Sequence, residues 1–201
     1  MPLQNRVTPF SRIERSAARG RVIGNRGILH NAAQELECET WRHKAWIACA
    51  LEFRGWRRPV MSARSWTELF FLDEAVALAA GHRPCAFCRR ADYLRFCAAW
   101  AAAFGARASA KEMDRVLHAE RVPMIRGARP PVDVLGLPDG AFVESAGSAW
   151  LVWRGQAHRW SHEGYSGAVD LGALRDARLV TPPSLVAVLR AGYVLAEPPM
   201  V

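Results

Sequence analysis

Runs of apolar residues and their spacing divide the first half of the chain into short strands and helices. The segments 46–53 and 69–72 are apolar runs of strand length, and the first alternates between two faces. Asp73 can cap a helix that follows the second strand, and Gly81 suits the left-handed position that ends such a helix. This pattern predicts a strand–helix unit over 69–81.

Two longer helices are predicted after this unit. The first begins at Pro84, where the missing backbone N–H of proline costs little, and ends at Gly105. Its apolar stripe, which we expect to face the core, consists of Phe87, Ala91, Leu94, Ala98 and Ala101. The second helix begins with the capping box of Ser109 and Glu112, and it is expected to end before Pro123.

The second half of the chain changes from a helical to an alternating pattern after a linker rich in Gly, Pro and Arg at 126–131. Three short apolar segments separated by turn residues predict an antiparallel meander. These strands span 140–144, 149–153 and 157–160. The polar segment 161–167 is expected to be a loop, and Thr181 with Pro182 opens a last helix.

Together these elements predict an α+β fold. Its N-terminal part, 1–125, would be a strand–helix module with a basic hairpin at 21–30, whose turn is Gly-Asn-Arg-Gly. Its C-terminal part, 126–201, would hold the antiparallel meander and the last helix, packed with the first part as one unit. With 201 residues, 51% of them hydrophobic, the chain can bury a sizeable core.

The composition indicates a basic protein with an acidic partner. The formal net charge is +8, and only Lys44 and Lys111 among the 27 basic residues are lysines. Because planar guanidinium groups recognise phosphates and bases, we expect a nucleic-acid partner. No apolar run approaches about 18 residues, and the five cysteines form no disulfide framework. We therefore expect a cytoplasmic protein that does not bind membranes, in an oligomeric state left open.

Cys85 and Cys88 form a Cys-x-x-Cys pair at the predicted start of a helix. The helix dipole and neighbouring cations favour thiolate over thiol there; these cations are Arg83, Arg89 and Arg90. Two thiolates at this spacing can hold one Zn²⁺ ion, so we expect the N-terminal module at 1–125 to be zinc-centred. The candidates for the remaining ligands are His30, His118, Cys38 and His82. Cys49 lies among large apolar neighbours on its strand, and we interpret it as a buried, inert thiol.

The sequence Ala-Gly-His-Arg-Pro-Cys-Ala-Phe-Cys at 80–88 resembles the zinc-binding domain of the Ada family of DNA alkylation-repair proteins. In that family a strand and an Ala-rich helix lead to Ala-Gly-x-Arg-Pro-Cys-x-x-Cys, so the resemblance covers about residues 46–91. It implies a zinc module that is directed to nucleic acid, DNA rather than RNA, in repair or modification. The family also has a preceding Cys-Arg-Pro-x-Cys pattern. Here Arg57 and Met61 stand in place of those two cysteines, so methyl-acceptor chemistry is not implied.

A second interpretation is a zinc-dependent hydrolase of the nucleobase-deaminase type. His-x-Glu combined with Pro-Cys-x-x-Cys is the signature of these enzymes, and His118 and Glu120 supply the first motif here, although in reversed order. Cys85, Cys88 and His118 would then bind zinc, and Glu120 would act as the catalytic proton shuttle. A third interpretation is a zinc-stapled interaction module without catalytic activity. The number of protein ligands on the metal separates these alternatives.

The candidate nucleic-acid contacts combine basic residues with aromatic residues that could stack on bases. They are Arg26, Arg57, Arg58, Arg83, Arg89, Arg90, Trp153, Arg159 and Trp160. An alternative for the tryptophans is a two-faced sheet in which one row of indole rings is buried. The identity of the substrate is left open by the sequence.

Overall fold

A computed structural model describes residues 1–37, 40–55, 59–63 and 65–200. The strands in these ranges are β1 (Gln4–Val7), β2 (Ile13–Arg15), β3 (Val22–Asn25), β4 (Ile47–Ala50), β5 (Leu69–Phe71), β6 (Arg83–Pro84), β7 (Phe142–Ser145), β8 (Ser148–Trp153), β9 (Gln156–Trp160), β10 (Tyr165–Asp170) and β11 (Arg178–Leu179). The helices are α1 (Glu74–Ala79), α2 (Arg90–Phe104), α3 (Ala110–Ile125) and α4 (Pro183–Arg190). The α+β class predicted from the sequence is confirmed.

The first sheet has six strands in the order β2-β1-β5-β3-β4-β6. Its pairs are antiparallel except for β1–β5 and β4–β6, which are parallel. The strand β6 lies where a helix start was predicted: Pro84 belongs to this strand, and α2 begins only at Arg90. Cys85 and Cys88 therefore lie in the connection between β6 and α2 rather than in the first turn of the helix.

The predicted basic hairpin at 21–30 is wrong. Its first strand, β3, pairs with β4 and β5, and residues 28–30 do not form a second strand. The N-terminal hairpin is instead formed by β1 and β2. The reason is tertiary, because β3 is a central strand and buries three of its four residues between two neighbours.

Local capping signals predicted the starts of α1 and α3 correctly. The Asp73 side chain accepts a hydrogen bond from the Val76 N–H at the start of α1, and Gly81 has φ of 82° just beyond its end. The capping box of Ser109 and Glu112 opens α3. This helix continues through Pro123, contrary to the prediction, and carries the buried residue Met124 in its last turn.

Helix α2 is rotated relative to the prediction. The side chains of Phe87 and Leu94, on the expected buried stripe, are 70% and 52% exposed. The buried face instead carries Phe96, Ala99 and Trp100, and the Phe96 ring packs on that of Tyr193, with ring centroids 5.4 Å apart. In such an alanine-rich helix two stripes are apolar, so periodicity alone does not select the buried one.

The second sheet has five antiparallel strands in the order β10-β9-β8-β7-β11. The meander β7–β8–β9 was predicted, whereas part of the segment expected to be a loop forms β10. One hydrophobic core includes residues from both sides of the linker, among them Val76, Phe142 and Leu185. Among the described residues, no helix has the length and apolar character required to cross a membrane.

Candidate metal centre

Three cysteines from two neighbouring strands and a turn lie together at the edge of the first sheet. The sulfur atoms of Cys49, Cys85 and Cys88 are all within 4.8 Å of one another. Cys49 is on β4, and Cys85 follows β6 directly. Ala48 and Pro84 are paired on these parallel strands, and the residue after each of them is a cysteine. The pairing therefore places Cys49 beside Cys85. The turn after Cys85 then returns Cys88 to the same point, so the structure can hold a metal ion between three sulfur donors.

Backbone N–H groups point at two of the sulfurs. The Ala50 N–H donates to Cys88 Sγ over 3.4 Å, and the Phe87 N–H donates to Cys85 Sγ over 3.4 Å. Hydrogen bonds of this kind favour the charged thiolate. Side-chain hydrogen bonds from Cys49 and Cys88 lower the pKa of Cys85, and the hydrogen bonds with Cys85 and Cys88 raise the pKa of Cys49. The hydrogen bonds within the cluster thus favour the thiolate at Cys85.

The three cysteines also line a cavity of about 120 Å³. Most of its other walls are apolar or aromatic: Ile23, Ile47, Ala50, Leu51, Phe53, Trp66 and Phe87, with Asn25 as a polar side chain. The rings of Phe53 and Phe87 meet edge to face, with centroids 5.1 Å apart. A ligand that reaches the sulfurs through this cavity would contact rings and aliphatic groups before the metal.

The structure does not bring the predicted histidine ligands to the sulfurs. His30 is buried, and its ring nitrogens Nδ1 and Nε2 lie 2.6 Å from Thr67 Oγ1 and 3.3 Å from the Ser62 carbonyl oxygen. His118 lies against Trp41, with ring centroids 5.3 Å apart, and its Nδ1 is 3.3 Å from an Arg121 nitrogen. Neither belongs to the sulfur cluster, so their assignment as ligands of this metal is corrected.

Of the other two predicted ligands, the structure describes only His82. Cys38 lies outside the described residues. His82 is fully buried, with its ring 4.7 Å from Phe71 and 5.2 Å from Trp46 between centroids, and its Nε2 accepts a hydrogen bond from Arg26. Burial and the nearby arginines lower the pKa of His82, which keeps the ring neutral in the core.

Glu120 is not at the metal centre. Its carboxylate accepts hydrogen bonds from the backbone N–H of Ser184, over 3.0 Å, and from the Ser184 hydroxyl, over 2.5 Å. Ser184 lies in the first turn of α4, where backbone N–H groups need acceptors. The acid on the apolar face of α3 therefore caps a neighbouring helix, and its assignment as a catalytic proton shuttle is corrected.

Three arginines predicted to contact nucleic acid instead have partners within the protein. Arg26 is fully buried, and its guanidinium carbon lies 4.0 Å from the centre of the Trp46 ring. Arg83 makes two hydrogen bonds of 2.8 Å to the carboxylate of Asp114. Arg89 forms ion pairs of 2.7 Å with Glu74 and with Asp92. These guanidinium groups are fixed by internal partners and are corrected to structural roles.

The remaining predicted contacts divide between the core and the surface. Trp153 is buried and Trp160 packs against the core, as in the alternative in which one row of indole rings is buried. Arg90 and Arg159 are exposed. Arg57 and Arg58 lie outside the described residues.

Cys49 is the member of the sulfur cluster that sequence reasoning missed. Its apolar neighbours on β4 suggested a buried thiol, and only the pairing of β4 with β6 brings it beside Cys85. Alternation along the strand places Cys49 and Ile47 on one face, but it does not identify the strand that pairs with β4. A comparison with protein-family models, with curated proteins and with solved structures found no match to this chain.

Proposed function

We propose that Cys49, Cys85 and Cys88 bind one Zn²⁺ ion as thiolates and that this end of the molecule acts on nucleic acid, DNA rather than RNA. The observation that carries the proposal is the mutual approach of three sulfurs to within 4.8 Å. Sulfurs bound tetrahedrally to one zinc at about 2.3 Å lie about 3.8 Å apart, so only a small contraction is required. Thiolate donors also favour zinc over hard cations such as magnesium.

The zinc would join two parts of the chain that are distant in sequence. It would tie β4 to the connection between β6 and α2, in addition to the two-residue pairing of β6 and the hydrogen bond from the Ala50 N–H to Cys88 Sγ. This arrangement also supports a staple without catalytic activity. A closed shell of four protein donors favours the staple, and a shell with an exchangeable position favours an active centre.

Exposed arginines around the sulfurs support the nucleic-acid part of the proposal. Arg90 follows Cys88 by two residues. The guanidinium carbon of Arg54 lies 5.0 Å from the centre of the Phe53 ring, and Phe53 lines the cavity. The chain carries a formal charge of +8, which raises the local concentration of polyanions. The resemblance to Ada-type zinc domains points to the same class of partner.

Metal analysis of purified protein tests the zinc site. Zinc should be present at about one ion per chain, and Cys49→Ala should weaken binding by at least the roughly 10–100-fold that loss of an outer-shell partner costs. The matched control is Cys97→Ala, because Cys97 is also a half-buried free cysteine but lies outside the cluster. If the variant does not fold, thiol titration of the wild type replaces it: chelation should expose three further reactive thiols. Full zinc content in Cys49→Ala would refute the site.

Binding of DNA to the zinc-loaded chain tests the partner. The logarithm of the association constant should fall linearly with the logarithm of the salt concentration. Arg90→Gln should reduce the magnitude of this slope by about 0.7–0.9, the value for one phosphate contact. Arg175→Gln is the control, since Arg175 is exposed near the second sheet. Absence of binding at low ionic strength contradicts the nucleic-acid part alone.

A further inference from the structure

A row of side chains crosses the first sheet and ends at the metal centre. Arg6 on β1 is paired with Phe70 on β5, Phe70 with Ile23 on β3, and Ile23 with Cys49 on β4. Residues in register on neighbouring strands point to the same face, so these four side chains share one side of the sheet. The core residues Val7, Val22 and others lie on the opposite side. With about 4.8 Å between strands, the row spans about 14 Å.

Two cavities lie along this row and share Ile23 and Leu51. The one at the sulfurs measures about 120 Å³, close to the roughly 150 Å³ of an engineered cavity that binds benzene. Its aromatic walls are Phe53, Trp66 and Phe87, and Phe87 is 70% exposed. The size and the rings suit one planar ring that enters from solvent and stacks on Phe87.

The second cavity is larger, about 550 Å³, and basic. Arg6 and Arg19 line it, and no carboxylate within the described ranges forms an ion pair with either guanidinium. Arg6 lies over the Phe70 ring, with its guanidinium carbon 4.8 Å from the ring centre, and donates to the carbonyl oxygen of Ala18 and to Asn5. Glu52 also lines the cavity but has an interaction of its own within the protein. Two cations in one depression, neither ion-paired with a carboxylate in the described part of the chain, are complementary to an anionic group.

We propose that this face binds single-stranded nucleic acid, with one unstacked base in the aromatic cavity beside the sulfurs and the backbone phosphates at Arg6 and Arg19. A base enters a ring-sized cavity only after it has left its stack, which favours a single strand over a duplex. Alternation of aromatic rings with arginines is the general mode of single-strand binding. The inference rests on the proposed function and specifies the form of its substrate.

Fluorescence anisotropy with the zinc-loaded full chain tests the base contact. The probes are a labelled twelve-residue oligothymidylate and the same strand paired with its complement. Single strand should bind more tightly than duplex, and Phe87→Ala should weaken single-strand binding by roughly 5- to 150-fold, the range for loss of one base stack. Leu94→Ala is the matched control, because Leu94 is another exposed apolar residue, on α2, and lines neither cavity.

The phosphate contact is tested with the same single-stranded probe. Arg19→Gln should reduce the magnitude of the salt slope by about 0.7, whereas Arg175→Gln should leave it unchanged.

Zinc content, measured on the same samples, separates the possible failures. A chain without zinc refutes the metal site of the proposed function, and a zinc-loaded chain that binds neither probe refutes its nucleic-acid partner. A zinc-loaded chain that binds duplex as tightly as single strand, or in which Phe87→Ala behaves like Leu94→Ala, overturns this inference and leaves the proposed function standing.

Discussion

At the scale of single residues, two buried guanidinium groups lie against one indole ring. Trp46 is fully buried, and the guanidinium carbons of Arg26 and Arg121 are 4.0 and 3.8 Å from its ring centre. Arg26 donates to the carbonyl oxygen of Ser11, and Arg121 donates to that of Gly81. Burial lowers the pKa of Arg121 to about 9. Carbonyl oxygens and the face of the ring thus stabilise these two buried cations, which in most proteins are stabilised by carboxylates.

Replacement of this ring should be costly. Trp46→Leu removes two desolvated cation–π contacts and leaves a cavity, so the free energy of unfolding should fall by about 3–5 kcal/mol. Urea unfolding followed by circular dichroism measures this change. Trp46→Phe is the control, since a phenyl ring keeps a face for the cations and should cost clearly less. Equal losses in the two variants would mean that the contacts between the cations and the ring face contribute nothing at this position.

At the scale of elements, the two-residue strand β6 positions one of the three cysteines of the metal centre. It places Cys85 beside Cys49, and the backbone N–H of Cys85 donates to the Ala48 carbonyl oxygen over 2.9 Å. A pair this short contributes little by itself, so a metal that joins both strands would account for much of their local stability. Helix α2 begins after this connection and turns its alanine-rich stripe to solvent.

Metal removal should therefore loosen one region selectively. On chelation we expect faster amide hydrogen exchange in 47–53 and 83–89, because the local link between β4 and β6 is lost. Exchange in α3 should change little, since its buried residues Met113 and Leu117 pack in the main core. Mass spectrometry of peptides from exchanged protein measures both. Unchanged exchange in 47–53 would argue against a metal that stabilises this link.

At the scale of the whole molecule, the two sheets are joined through the first turn of α1. The Tyr165 hydroxyl, on β10, donates to Asp73 Oδ2 over 2.8 Å, and the Tyr193 hydroxyl donates to Glu74 Oε1 over 2.7 Å. Burial raises the pKa of Asp73 from 3.8 to about 6, although its hydrogen bonds oppose the shift. The boundary predicted at 126 is thus crossed by one core and by polar contacts, and the protein packs as one unit.

The stability of the molecule should depend on the protonation of Asp73. Its folded pKa is higher than its unfolded pKa, so its contribution is fully present below about pH 4 and is lost as the pH rises through about 6. About two pKa units correspond to about 3 kcal/mol between pH 4 and pH 7. Asp73→Asn, which resembles the protonated acid, should lack this decrease in urea unfolding across that range. Asp133→Asn, at an exposed cap, is the control, and an unchanged pH profile in Asp73→Asn would exclude the residue as the source.

Signals within a few residues of each other were sufficient to predict much of the fold. The cap at Asp73, the capping box at Ser109 and the meander β7–β9 depend on local backbone geometry and alternation, and all three are present. One prediction failed where two local solutions were equivalent, as for the two apolar stripes of α2. Another failed where burial opposed a local preference: α3 continues past Pro123 and buries Met124.

By itself the sequence determined the Cys-x-x-Cys spacing of Cys85 and Cys88, the positive charge and the caps of the helices, since each depends on residue type and short-range geometry. Only the tertiary structure decided that Cys49 is the third sulfur and that His30, His118 and Glu120 have other partners. Pairing of strands far apart in the chain depends on how the core closes, and no local pattern encodes it. For the same reason, burial decided which arginines became structural and which remained on the surface.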